Sequence, residues 1–354
     1  MELLITIVTF LVVLAVLILT HELGHFTTAK AFGVKVEEFG LGFPPRLLSK
    51  KLGETRYSLN AIPLGGFVKM AGEEDPKVPG SLASKSIGTR LLVLSAGSLM
   101  NALLPLLLFS IAFMIPHNLV IGKVLVEEVA LGSPAATTSI ESGDILLSIN
   151  DKSVQNISDL QRYIRLNLGK EVTVLVEHSD ATTEEVQVIP RWKPPEGEGA
   201  IGITVSMPES TTISQREPFW RAIPLGVKEC IETFTLLKNG ILSLFIGAIP
   251  LQLAGPVGIA QITGEVAKAG ISPLLEFAAF LSINLAIINI FPLPALDGGR
   301  IVFVLLEWVR RGKRVPPKTE GLVHFIGFIM LIGVFLAITY QDIIRIISGN
   351  SLIP

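Results

Sequence analysis

His21, Glu22 and His25 stand in the stretch ILTHELGH, residues 18–25, directly after an almost purely aliphatic run. Their spacing is H-E-x-x-H. On a helix, residues four apart share a face, so both imidazoles can reach one ion, while Glu22 projects about 100° round and can touch a water held there. Zinc suits such a pair, because it needs three protein ligands and keeps a fourth position for water, whose pKa it lowers to roughly 7. Glu22 would take that proton and pass it to a leaving amine. The plainer alternative is that the three side chains cap a helix end at a membrane interface. Against it stands the scarcity of histidine: the chain has 5, two of them lie here, and unpaired polar groups are costly in a near-hydrocarbon setting. The others, His117, His178 and His324, show no ligand spacing and read as structural. The one cysteine, Cys230, can form no intramolecular disulfide and no thiolate-rich metal site. Any metal must therefore be held by nitrogen and oxygen.

The elements that must position these residues are set by composition. The 354 residues are 49% hydrophobic and 17% charged, with a mean hydropathy of +0.59, which is the profile of an integral membrane protein. A net charge of -2 without a basic tract gives no support to nucleic-acid binding. Four uncharged runs, 3–20, 91–115, 277–296 and 321–341, are long enough or nearly so to cross a bilayer. Residues 3–19 lack a basic n-region and an A-x-A site, and read as a retained span. The run 239–264 also lacks charge, but five glycines and two prolines break it, so it reads as interfacial or re-entrant. Trp220 to Leu237 mixes charged and apolar residues and suits a helix along the membrane surface.

Charge asymmetry tests that count. Residues 26–90 hold ten Lys and Arg and residues 298–320 hold six, so both loops are expected in the cytoplasm. Four spans satisfy this with both termini outside; a fifth at 239–264 would put the second loop on the opposite face. A third ligand must then reach the depth of His21. The first span rises about 27 Å at 1.5 Å per residue, which puts the motif near its cytoplasmic end. The third span runs inward and ends in NIFPLPALDGG, 289–299, bringing Asp297 to the same edge. Pro292 and Pro294 prevent a regular helix there, and Gly298 and Gly299 allow close approach. The alternative for Asp297 is a turn residue before the glycine pair.

Between the second and third spans, roughly 117–205, composition is that of a soluble domain placed outside the cytoplasm. GSPA (132–135) and SGDILLSINDK (142–152) alternate turns with short strands. Ser158 and Gln161 predict a capping box for a helix to about Leu168, Val172, Val174 and Val176 alternate at strand period, and WKPPEGEG (192–199) reads as a linker.

Taken together, HELGH, the G-x-x-x-N of Gly97 and Asn101, and N-x-x-P-x-P-x-L-D-G-G resemble, in order and spacing, the site-2 protease family of intramembrane zinc metalloproteases, in its bacterial PDZ-containing branch. EFGLGF (38–43), SLNAIPLGGFVKMAGE (58–73) and GPVGIA (255–260) extend the resemblance nearly end to end. It implies an α-helical membrane protein with four transmembrane helices, a membrane re-entrant β-hairpin at 36–70 and one extracytoplasmic α+β PDZ domain. The expected divisions are 1–116, a PDZ domain at 117–205, a membrane-surface segment at 206–272, and 273–354. It further implies that His21, His25 and Asp297 bind Zn2+, that Glu22 is the catalytic acid and base, and that Asn289, Pro292 and Pro294 border the substrate cleft. The hairpin would offer an unpaired edge to an unwound substrate helix, whose freed N–H and C=O groups need partners.

The expected activity is cleavage of transmembrane segments of single-pass proteins, of the anti-sigma-factor or signal-peptide-remnant type, in the lipid of a bacterial plasma membrane during regulated intramembrane proteolysis. Relatives with two tandem PDZ domains differ from this chain, which has room for one. That domain either binds peptide C-termini or acts as a steric gate. Two other classes compete: a non-proteolytic PDZ adaptor with a structural zinc site, which has no use for Glu22, and a zinc transporter, which would want more intramembrane carboxylates.

Overall fold

The computed structural model describes residues 2–73, 75–249 and 254–348, without the side chains of Pro63 and Leu64. It divides into two compact units: Met1–Ala112 with Leu253–Pro354, and Phe113–Gln252.

Among the described residues, four helices are long and apolar enough to cross a membrane: α1 (Glu2–Ala31), α2 (Ile87–Met114), α6 (Ile271–Ile290) and α8 (Pro317–Ile347). Between α1 and α2 lie β1 (Val36–Leu52) and β2 (Thr55–Met70). Their register folds them into four antiparallel segments rather than one simple ladder. Phe39 pairs with both Val68 and Tyr57, while Ser49 pairs with Ser58, so the order is 66–70, 36–41, 55–60, 46–52. The outer edges are therefore 66–70 and 46–52. Apolar side chains at or near the end formed by the 42–45 and 61–65 turns, Phe43, Leu47, Leu48, Leu59 and Ile62, are exposed, as is Leu52 at the opposite end.

As expected from Pro292 and Pro294, α6 does not continue through the 291–296 stretch: the helix ends at Ile290. The stretch 298–320, expected as a loop, instead carries α7 (Asp297–Val309), of which Asp297 is the first residue. One stripe of α7 faces inward. Val304 joins a core with Ala29, Val36, Val68, Val93 and Leu94, and one turn on, Glu307 binds Arg90 of α2 at 2.5 Å and Arg314 at 3.0 Å. Burial pushes the Glu307 carboxyl up, but these two guanidinium partners outweigh it and hold the group below the usual carboxylate range.

The 206–272 stretch, expected as one surface segment, is divided. Helix α4 (Phe219–Phe245) belongs to the second unit and α5 (Pro256–Ala269) to the first, and no helix runs from one into the other among the described residues, 250–253 lying outside them. Of the glycines that argued against a span, Gly247, with a positive φ of 65°, follows the end of α4 and Gly255 caps α5, while Gly240, Gly258 and Gly264 lie inside the helices. Helix α5 begins at a glycine N-cap, and Asp342 of α8 supplies the missing acceptor, taking the Gly258 N–H at 2.7 Å.

The second unit holds strands β3 (His117–Gly122) and β10 (Ser210–Gln215) as a pair, and a six-stranded antiparallel sheet of β4 (Val124–Val129), β5 (Ile145–Ile149), β6 (Lys152–Ser153), β7 (Val172–Glu177), β8 (Thr183–Val188) and β9 (Ile203–Ser206). Its order is β8-β7-β5-β4-β9, with β6 on β5. Inward residues of β7 alternate, Val172, Val174 and Val176, and pack with Leu160 and Ile164 of helix α3 (Ile157–Leu166). That helix starts two residues before the predicted capping box. Asn156, not Ser158, accepts the Asp159 N–H at 2.8 Å, and Asp159 reaches back to the Gln155 N–H at 3.1 Å. The 192–199 stretch, expected as a linker, carries no helix or strand; Arg191 binds Glu198 across it, and the chain returns as β9 beside β4. Arg162 of α3 clamps Glu229 and Glu232 on α4, leaving Trp220, Ile223, Val227 and Ile231 exposed.

Candidate metal centre

Helix α1 carries His21 and His25 one turn apart, both buried. Gly24 between them makes their placement possible. A Cβ there would run into the Ala96 carbonyl and Met100 of α2, so only glycine lets the two helices approach this closely. Facing the histidines on α2 is a second glycine, Gly97, whose Cβ would collide with His25 Nε2 and stand 2.7 Å from His21 Nε2. The missing methyl group leaves the space into which both imidazoles point.

Asp297 enters that space from α7. Its Oδ2 lies 3.1 Å from His21 Nε2 and 3.1 Å from His25 Nε2, and the two nitrogens are 3.2 Å apart. The turn before Asp297 is tightly built. Gly298 is packed under the carbonyls of Ile290 and Phe291, and Gly299 under that of Leu293, so neither position has room for a Cβ. Ala295 has a positive φ of 73°, a strained conformation for a residue with a side chain. His324 of α8 holds it by accepting the Ala295 N–H at 2.9 Å.

The three atoms fit a metal ion. Nitrogen and oxygen ligands about 2.0 to 2.1 Å from a tetrahedral zinc are about 3.3 Å from one another, close to the observed triangle. Three electron-rich atoms brought this close, with burial around them, require a proton or a cation between them. His25 is oriented for it: its Nδ1 donates to the Val93 carbonyl at 2.8 Å, which leaves the Nε2 lone pair facing the centre. His21 Nδ1 faces the Asn101 side chain at 3.4 Å.

Glu22 lies on the flank of α1, half-buried, with its Cγ against Gly66 of the edge segment 66–70; a Cβ at Gly66 would sit 2.9 Å from that atom. Its charge interacts with His25, His21, Asp297 and Arg300. The remaining expected residues lie outside the cluster of ligating atoms. Asn289 is half-buried in the last turn of α6, Pro292 is exposed, and Pro294 packs against Gly327 of α8. Spacing alone did not reveal Asn101, the Val93 carbonyl or His324 as parts of this site. For His324 a signal existed, since an ionisable residue inside an apolar span is a functional candidate by default.

Known proteins point the same way. The family model described as Peptidase family M50 matches residues 9–334. A Clostridium perfringens protein named as a zinc metalloprotease is 37% identical over 342 residues, covering 94% of this chain and 97% of its own length. The zinc metalloprotease RasP of Geobacillus kaustophilus is 31% identical over 422 residues, covering 96% and 97%. Among solved structures, PDZ domains of SdrC-like proteins from Listeria monocytogenes and Listeria innocua match at 24% identity, with TM-scores of 0.21 and 0.22. They cover 23% and 25% of this chain and 85% and 97% of their own. With its model matched over nearly the whole length and its chemistry centred on H-E-x-x-H, the chain belongs to peptidase family M50, the site-2 protease family, and is a zinc metalloprotease.

Proposed function

We propose that the protein is an intramembrane endopeptidase that cuts transmembrane segments of single-pass membrane proteins, anti-sigma factors or signal-peptide remnants, as a step of regulated intramembrane proteolysis. The carrying observation is the convergence of His21 Nε2, His25 Nε2 and Asp297 Oδ2 within 3.2 Å of one another beside Glu22, the two histidines and Glu22 on a helix apolar enough to span a bilayer and Asp297 at the start of α7. His21, His25 and Asp297 hold Zn2+. When bound, the ion polarises the scissile carbonyl and makes water a nucleophile near neutral pH. Glu22 takes the proton of the attacking water on its carboxylate and returns it to the leaving amine. The edge segment 66–70, packed on Glu22 through Gly66, pairs with an unwound substrate strand and takes up its N–H and C=O groups. Asn289, Pro292 and Pro294 border the cleft, at the bend where α6 ends.

In this reading the four segments at 36–70 re-enter the membrane, which suits the exposed apolar residues at their turn. The 117–205 region is an extracytoplasmic PDZ domain, a reading supported by its antiparallel sheet and single packed helix; it takes peptide C-termini or gates access. The protein sits in a bacterial plasma membrane with both termini outside and the catalytic centre near the cytoplasmic face. Glu22→Gln tests the core of the proposal. It should leave zinc content and thermal stability unchanged and stop cleavage of a model transmembrane substrate in detergent or proteoliposomes. Cleavage at the wild-type rate would remove Glu22 from the mechanism.

A further inference from the structure

One face of α2 repeats every four residues opposite the histidines of α1. The Val93 carbonyl meets His25, Gly97 leaves the central space, and Asn101 meets His21. The helices run antiparallel, so positions 93, 97 and 101 form a template matched to 25, the centre and 21. Two of its three parts have an evident task. Asn101 is fully buried, and its Oδ1 has no partner while its Nδ2 faces His21 Nδ1.

The backbone holds Asn101 with unusual care. Pro105 sits four residues on and has no N–H to give, so the Asn101 carbonyl lacks its helical partner. Ser282 of α6 replaces it, donating its hydroxyl at 2.8 Å. The amide is thus presented at one spot, with freedom only to turn over. In the orientation found, Nδ2 donates to His21 Nδ1, which puts the ring proton on Nε2, between His25 and Asp297. That state suits a centre holding a proton. A centre holding a cation needs the Nε2 lone pair, hence a proton on Nδ1 and an acceptor opposite it. Turning the amide over exchanges Nδ2 for Oδ1 and supplies that acceptor at the same place.

We infer that Asn101 is a positioning residue for the metal: its Oδ1 accepts the Nδ1–H of His21 and fixes the tautomer that ligates through Nε2, as the Val93 carbonyl does for His25. The inference deepens the zinc-site reading and rests on it. Partners of this kind change metal affinity by about 10- to 100-fold when removed.

The test is zinc affinity, by competition with a chelator, for the purified full chain in detergent, with the absorption spectrum of the Co2+-substituted protein as a second readout. Asn101→Leu fills the same space without an acceptor and should bind zinc about 10- to 100-fold more weakly. Asn101→Asp restores an acceptor and should bind at least as tightly as wild type with an unchanged cobalt spectrum. Equal affinity in wild type and Asn101→Leu overturns the inference, as does equal weakening in Leu and Asp, the pattern of a residue that only packs. Thermal unfolding of each metal-free variant separates loss of fold from loss of the ligand. Wild-type protein that takes up no zinc overturns the zinc-site reading itself.

Discussion

At the scale of single residues, the centre depends as much on absent side chains as on present ones. His21 and His25 converge because Gly24 lets α1 approach α2 and Gly97 leaves the volume between the rings empty. Asp297 closes the triangle from a turn that Gly298, Gly299 and His324 hold in a strained form. Replacing Asp297 by alanine should therefore leave the helices in place and weaken zinc, because two imidazoles at one helical turn make an incomplete site. Metal analysis of purified wild type beside Asp297→Ala measures this directly. Stoichiometric zinc at undiminished affinity in the variant would show that the third ligand lies elsewhere. The H-E-x-x-H pair was legible from spacing because four residues are one turn of any helix. Asn101 was legible only as part of a motif, since its task depends on which helix stands opposite and on the carbonyl freed by Pro105, neither of which is local.

At the scale of elements, α7 explains how Asp297, the proposed third ligand, 272 residues from His25, is held to hydrogen-bonding precision. One stripe of the helix carries Asp297, then Arg300, whose guanidinium binds Glu73 three residues past β2, then Val304 in the core, then Glu307 against Arg90. The element fastens Asp297 to the segment after β2 and to α2 together. The Arg90–Glu307 pair is buried, with side-chain exposures of 9% and 8%, so deleting one partner strands the other charge. Glu307→Ala should cost about 3 to 5 kcal/mol, read as a lowered Tm in detergent, whereas replacing both residues by apolar ones of similar size should recover most of it. Because the folded-state pKa of Glu307 is depressed, its contribution is complete above the unfolded carboxyl value of about 4.3 and is lost as pH falls through the lower folded value. A Tm difference between wild type and variant that stays constant on acidification would deny the ion pair this role. Sequence alone missed α7: its basic residues and neighbouring glycines read as a loop, while the partners that stabilise it, Arg90 and Glu73, are contributed by distant elements. The start of α3 was misplaced for a different reason. Asn156–Asp159 and Ser158–Gln161 both satisfy the capping pattern, and the first prevails because it places Leu160 and Ile164 in the core.

At the scale of the molecule, the catalytic reading and the membrane topology stand or fall together. Apolar length identified the four candidate spans, because the bilayer imposes it on every crossing segment. How they pack did not follow, since lipid-facing and partner-facing surfaces are equally apolar. The centre supplies what composition lacked. Antiparallel α1 and α2 bring His21 to Asn101 and His25 to Val93, and α6 delivers Asp297 beside them only if it too ends at the face where α1 ends. If α2 and α6 both cross, the loop after α1 and the loop before α8 lie on one side, and under the proposed topology their Lys and Arg content would make that side the cytoplasm. Single cysteines near Lys50 and Lys313, both exposed positions, introduced into a chain whose only native cysteine, Cys230, is replaced by serine, should therefore be blocked by a membrane-permeant thiol reagent and spared by an impermeant one applied to intact cells. Labelling of one from outside and the other from inside would require an odd number of crossings between them. Asp297 would then leave the depth of the histidines, and neither the zinc site nor a cut made near the cytoplasmic face could survive.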